Sequence, residues 1–134
     1  MDATEQLVMN NGALLSIVDD DESVRESLPD LLRQFGFATE AFSSAEAFLA
    51  SKAVDRTDCL ILDVAMPGMS GPDLQRELMR RQLTIPIVFI TAQSDEETRS
   101  RVLTQGAVAC LLKPFSQAAL LEALNVALGT RLDD

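Results

Sequence analysis

The sequence predicts an α/β fold, a doubly wound parallel sheet of five strands in the order 2-1-3-4-5 made from five successive βα units. Two short apolar runs, Ala13 to Val18 and Cys59 to Leu62, lack the polar alternation of a half-exposed strand and so read as strands buried on both faces. Segments with apolar residues at helical spacing alternate with such runs along the whole chain, which shows no internal repeat and no linker over its 134 residues. Strictly alternating β and α elements imply a parallel sheet covered by helices on both faces. Right-handed crossovers leave few topologies, and the order 2-1-3-4-5 sets the first and third strands side by side at the switch point, where such sheets bind ligands.

Met1 to Gly12 is polar, carries Asn10-Asn11-Gly12 as a turn signal and is expected to form a flexible arm before a domain spanning Ala13 to Gly129, with residues 130–134 as a tail. The first strand, Ala13 to Val18, runs directly into Asp19-Asp20-Asp21-Glu22. Val24, Leu28, Leu31, Leu32 and Phe35 then recur at helical spacing up to Gly36, so Glu22 to Phe35 is predicted helical. Pro29 removes a hydrogen bond to the Arg25 carbonyl, but the apolar period passes through it unchanged, which predicts a kink and not a break. Phe37 to Phe42 admits Thr39 and Glu40 and reads as an edge strand. Ser43 followed by Glu46 has the spacing of a capping box that would open a helix to about Ser51.

Asp58 to Val64 is the central strand, ended by Met66-Pro67-Gly68-Met69-Ser70-Gly71. Pro72 suits the first turn of a helix through Arg81, with Leu74, Leu78 and Met79 facing inward and Arg80-Arg81 facing solvent. Ile85 to Thr91 is a strand that tolerates Pro86 only near its start. The polar segment from Asp95 begins a helix to about Gln105, stopped by Gly106. Ala107 to Leu112 is the fifth strand, ending at Lys113-Pro114, and Ser116 caps a last helix to Leu128 that Gly129 ends.

The net charge of −10 argues against nucleic-acid or anionic-membrane binding, since both require a basic face. A cation or a basic partner surface is the expected counterpart. No membrane-length apolar window and no basic leader occur, so the protein is expected in the cytoplasm, with Cys59 and Cys110 as free core thiols. Histidine is absent, which removes the commonest zinc ligand and the usual general base.

The predicted topology brings Asp19, Asp20 and Asp63 together at the carboxyl ends of the first and third strands. Three such carboxylates repel by roughly 4 kcal/mol per pair at about 4 Å, so the site must take up a proton or a cation. Oxygen donors without His or Cys select a hard ion, and Mg2+ fits best. Thr91 and Lys113 end strands on the same edge and add a hydroxyl and an ammonium. A nucleophilic carboxylate, a metal, a hydroxyl and an ammonium are what in-line phosphoryl transfer to Asp63 requires, which makes the site an acyl-phosphate acceptor.

The set Val18-Asp19-Asp20, Asp63 before Met66-Pro67-Gly68-Met69-Ser70-Gly71, Thr91-Ala92 and Lys113-Pro114-Phe115 resembles the receiver domain of two-component response regulators, which share the flavodoxin-like (βα)5 fold. Ser43-Ser44-Ala45-Glu46-Ala47-Phe48-Leu49 makes the chain similar to the nitrogen-fixation and nodulation regulator branch. The resemblance implies that Asp63 receives a phosphoryl group from a phosphohistidine on a sensor histidine kinase. It implies that Asp20, Asp63 and the Ala65 carbonyl ligate Mg2+ directly, with Asp19 acting through a water, and that Lys113 pairs with Asp63 and precedes a cis proline. Thr91 would swing toward the phosphoryl group and shift the surface of the fourth helix, fifth strand and fifth helix. A downstream protein or fused output domain, and a phosphorylation-dependent homodimer, are the implied partners, with no direct contact to nucleic acid or membrane.

Two departures stand against the resemblance. The family has an aromatic residue three positions before the lysine, where this chain has Cys110. Ala65 and Gln93 occupy positions that modulate dephosphorylation, and neither is an acid or base, so slow hydrolysis is expected. Two other functions remain open at this level. Cys110 is compatible with a pseudo-receiver that binds its partner constitutively. A magnesium-dependent phosphatase would use the same nucleophile, but it needs a second carboxylate where Ala65 stands.

Overall fold

The structure, a computed structural model, describes residues 12–93 and 95–132. The predicted N-terminal arm, apart from Gly12, and the last two residues of the predicted tail lie outside the described residues. Among the described residues five strands, β1 (Leu14–Val18), β2 (Ala38–Phe42), β3 (Cys59–Asp63), β4 (Ile87–Thr91) and β5 (Ala109–Leu112), alternate with five helices. These are α1 (Glu22–Gln34), α2 (Ala45–Ala50), α3 (Gly71–Arg80), α4 (Glu96–Thr104) and α5 (Gln117–Leu132), with a short 3-10 turn at Lys52–Asp55 after α2. The strands form one parallel sheet in the order β2-β1-β3-β4-β5, as the sequence predicts.

Side-chain alternation along the strands divides the core in two. Leu60, Leu62, Ile87 and Phe89 face one way and pack with Phe48 of α2, Leu74 and Leu78 of α3 and Val102 of α4. Leu15, Ile17, Cys59, Ile61, Val88 and Ile90 face the other way onto Leu28 and Leu32 of α1 and Leu120, Leu124 and Leu128 of α5. Both faces being covered explains why β1 and β3 have no exposed residue and no polar alternation. Phe42 and Phe48 meet edge to face, with ring centroids 5.5 Å apart, and seal the sheet's outer corner.

Local chemistry sets the element ends. Asp21 caps α1 through its side chain, which accepts from the Ser23 amide at 2.9 Å, and the helix runs through Pro29 to Gln34 without interruption. Gly36 takes φ +92°, a left-handed turn that glycine adopts at little cost. Ser70 and Asp73 form a reciprocal capping box on α3, whose first turn holds Pro72. Ser116 caps α5, its hydroxyl accepting from the Ala119 amide at 3.0 Å.

Several predicted details shift. The α2 cap is Ser44, which accepts from the Ala47 amide at 3.1 Å, so the Ser43 and Glu46 box does not form and Glu46 turns elsewhere. Strand β4 begins only at Ile87, because Pro86 lacks an amide for the ladder; its carbonyl still accepts from Leu60. Met79 is 54% exposed and not on the inner face of α3. Arg80 and Arg81 are exposed but not idle, since Arg80 forks onto Glu77, its shorter bond 2.6 Å, and Arg81 Nε donates to the same carboxylate at 2.7 Å. Gly129 does not end α5. It stays outside the left-handed region, and a glycine stops a helix only by entering it.

Candidate functional site

Strands β1, β3, β4 and β5 end at one edge of the sheet, and each delivers a charged or polar side chain there. Asp19 follows β1 directly and is fully buried. Its amide donates to the Phe42 carbonyl at 3.1 Å, which fixes its backbone to the end of β2. One carboxylate oxygen accepts from the Asp21 amide at 2.9 Å, and the other accepts from Lys113 Nζ at 2.8 Å. Asp63 is the last residue of β3, in register with Ile90 of β4, and is only 5% exposed. Asp20 is exposed at the mouth, and oxygens of Asp19, Asp20 and Asp63 lie within 4.8 Å of one another.

This crowding has a clear electrostatic consequence. Burial pushes the Asp63 carboxyl up to about 7, the negative charge of Asp19 adds to the rise, and the Lys113 ammonium opposes it. Burial works against the charged form of Lys113, yet the hydrogen bond to Asp19 and the charges of Asp19, Asp63 and Asp21 hold it above its ordinary value. The site thus has more negative charge than its one ammonium offsets. An all-oxygen donor set carrying an excess charge at a half-open mouth fits a hard divalent ion such as Mg2+.

The geometry corrects one expected pairing. Lys113 is hydrogen-bonded to Asp19 and not to Asp63, because Asp19 is the more deeply buried acid and presents its second oxygen to β5. The Lys113-Pro114 peptide is cis, as the resemblance implies. Thr91, at the end of β4, turns its hydroxyl onto the Gln93 backbone, accepting from the amide at 3.1 Å and donating to the carbonyl at 3.2 Å. Ala65 lies exposed on the loop after β3. That loop closes tightly, for the Gly71 amide donates to the Val64 carbonyl at 3.0 Å, and a Cβ on Gly71 would come within 2.3 Å of the Asp63 carbonyl oxygen.

Residues 15–125 match the response regulator receiver domain family. The chain belongs to that family. It is 45% identical over 115 residues to nodulation protein W of Bradyrhizobium diazoefficiens, covering 86% of this chain and 51% of that protein. It is 40% identical over 109 residues to the transcriptional regulatory protein FixJ of Rhizobium meliloti, covering 81% and 53%. Among solved structures, the response regulator StyR superposes with a TM-score of 0.84 at 43% identity, over 91% of this chain and 62% of that one. FixJ-N superposes at 0.80 with 36% identity, over 89% and 95%. The chain spans about half the length of the curated relatives it matches.

Two features of this receiver domain lie near the site without belonging to the acid cluster. Cys110 of β5 is buried next to Phe89 in the register and lines a cavity that Thr91 also lines. Burial raises its thiol above the ordinary value, so it is a poor nucleophile. Glu46 of α2 reaches across to the loop after β3 and accepts from the Met69 amide at 3.2 Å, and its carboxylate occupies the space above Gly68. The sequence hides this contact because Glu46 carries a capping-box spacing that explains it locally. Among the described residues, no helix is long and apolar enough to cross a membrane.

Proposed function

We propose that this receiver domain accepts a phosphoryl group on Asp63 from a phosphohistidine of a sensor histidine kinase and switches its α4, β5 and α5 surface in response. The observation that carries this reading is the convergence of Asp19, Asp20 and Asp63 within 4.8 Å, with Lys113 bound to the most buried of them. A carboxylate oxygen of Asp63 forms a bond to phosphorus as the phosphorus–nitrogen bond of the donor breaks, and the imidazole nitrogen leaves with the electron pair and takes a proton from solvent. Asp19, Asp20, Asp63 and the Ala65 carbonyl would hold a magnesium ion, which when bound supplies positive charge to the phosphoryl oxygens.

The chain's own residues do the rest. The β3 backbone orients Asp63 toward solvent while the sheet excludes water behind it. Lys113, already charged and shielded, supplies a second cation at the phosphoryl oxygens. Thr91 exchanges its two Gln93 contacts for one to a phosphoryl oxygen, which moves the loop between β4 and α4. Downstream, the moved surface engages a partner protein or a fused output domain, with a phosphorylation-dependent homodimer as one form, and the whole operates in the cytoplasm without direct contact to nucleic acid or membrane.

The test is incubation with acetyl phosphate and Mg2+, followed by intact mass measurement. A gain of one phosphate, lost in Asp63→Asn and on chelation of the metal, supports the reading. No gain under any condition would leave a constitutive binding module, and rapid multiple turnover would indicate a phosphatase.

A further inference from the structure

A cavity of about 250 Å³ opens between the β4–α4 loop and β5, lined by Val64, Thr91, Glu96, Arg99, Cys110 and Leu112 among others. Val64, Cys110 and Leu112 give it an apolar lining, with Cys110 buried and small and Leu112 half exposed. Its rim carries one base and two acids, Arg99 against Asp95 and Glu96. Asp95 is already engaged as the α4 cap, accepting from the Glu97 and Thr98 amides and the Thr98 hydroxyl. The Arg99 side chain makes no ion pair or hydrogen bond among the described residues, whereas those of Arg25, Arg33, Arg56, Arg76, Arg80, Arg81 and Arg101 each make one.

We propose that this cavity is a binding site for a small uncharged aromatic molecule bearing an N–H or O–H donor, and that its occupancy is coupled to the position of Thr91. The volume suits one or two fused rings, near the lower end of ordinary ligand pockets. A planar ring on the apolar lining offers its face to the free Arg99 guanidinium, which stacks well on aromatic faces. A donor group on the ring has the Glu96 carboxylate to bond. A carboxylate on the ligand would gain Arg99 but face Glu96 and Asp95, and an ammonium would gain Glu96 but face Arg99, so attraction and repulsion offset for either sign and a neutral donor is favoured. Thr91 forms one wall, so a molecule seated there senses whether the hydroxyl is turned to Gln93 or away from it. The coupling rests on the proposed phospho-acceptor reading; the binding itself does not.

The chain has no Trp and no Tyr, so indole can be followed by its own fluorescence with little protein background. The experiment titrates the full chain into indole and reads anisotropy, with phenol, benzoate and benzylamine as competitors. Wild type should bind saturably, both charged competitors should displace indole at least about tenfold less well than phenol, and Cys110→Phe, which puts a larger side chain into the lining, should weaken binding at least about tenfold. Indole-induced NMR shifts in wild type should centre on Thr91, Arg99 and Cys110, which keeps the test valid if Cys110→Phe folds poorly. Absence of saturable binding, shifts centred elsewhere, or binding that survives in well-folded Cys110→Phe would overturn the site. Asp63→Asn should bind indole as wild type does, so failure of phosphorylation leaves this result intact. Loading with beryllofluoride and Mg2+ should change indole affinity at least about fivefold, and equal affinity in both states would overturn the coupling.

Discussion

Replacing Asp63 by Asn should stabilise the metal-free protein at alkaline pH, and the size of the effect follows from the site. Asp63 is 5% exposed, and burial together with the charge of Asp19 raises it from 3.8 to about 7. An acid whose folded value lies above its unfolded value binds its proton more tightly when folded. Its contribution is therefore intact below about pH 4, is lost as pH rises toward about 7, and levels off above that. Three units correspond to about 4 kcal/mol, and relaxation of the half-open mouth brings the expected loss to between about 2 and 4 kcal/mol. The window is unusually clean because the chain contains no histidine. The carboxylates held low by hydrogen bonds, Asp21, Asp73 and Asp95, act with the opposite sign and only at lower pH. Urea melts followed by far-UV circular dichroism in chelator, at about pH 5 and about pH 8, should show wild type losing roughly 1 to 2 M in midpoint while Asp63→Asn changes little. Equal pH dependence in the two proteins would refute the reasoning, as would an Asn variant less stable than wild type at about pH 8.

Other perturbations have equally definite outcomes. Magnesium at about 100 times its dissociation constant should restore roughly 2.7 kcal/mol to wild type at about pH 8 and much less to Asp63→Asn, measured by the same melts. Lys113→Met leaves the fully buried Asp19 without its cation, so it should cost about 3 kcal/mol near neutral pH and abolish the phosphate mass gain; an unchanged melt would contradict the buried pairing. Gly71→Ala drives a methyl against the Asp63 carbonyl and the Phe89 ring, and should destabilise by about 3 kcal/mol or more in urea melts. Glu46→Ala frees the Met69 amide and should weaken Mg2+ affinity severalfold by calorimetry, with Glu46→Gln keeping most of it if the acceptor and not the charge is what matters.

The strand ends were legible in the sequence because each buried run stops abruptly at a charged or hydroxylic residue, and a parallel sheet collects those stops along one edge. Asp19, Asp20, Asp63, Thr91 and Lys113 all lie where that argument puts them. The pairing of Lys113 was not legible. Choosing between Asp19 and Asp63 depends on which acid is more deeply covered, and that follows from the closure of the β1–α1 turn, with Arg25 Nη1 donating to the Asp19 carbonyl at 2.9 Å. Glu46 escaped for a related reason, since two local explanations compete for one side chain and only tertiary proximity decides. Helix limits slipped where a residue's usual role depends on a conformation it did not adopt, as at Gly129, and Met79 misled because the third apolar residue of α3 lies at the edge of its buried stripe.

The division of β3 between two cores has a consequence for how the chain tolerates change. Cys59 and Ile61 face α1 and α5, Leu60 and Leu62 face the other helices, and Asp63 continues the first series in step with Ile90. A residue inserted before Cys59 falls in a connecting turn and can loop out. One inserted between Cys59 and Leu62 would reverse every later side chain, presenting Leu62 at the mouth and moving the acid to the opposite face at the place now held by Val64. The aim of the carboxylate is thus set by counting residues in pairs, which makes this strand the stretch where length, more than composition, is under constraint.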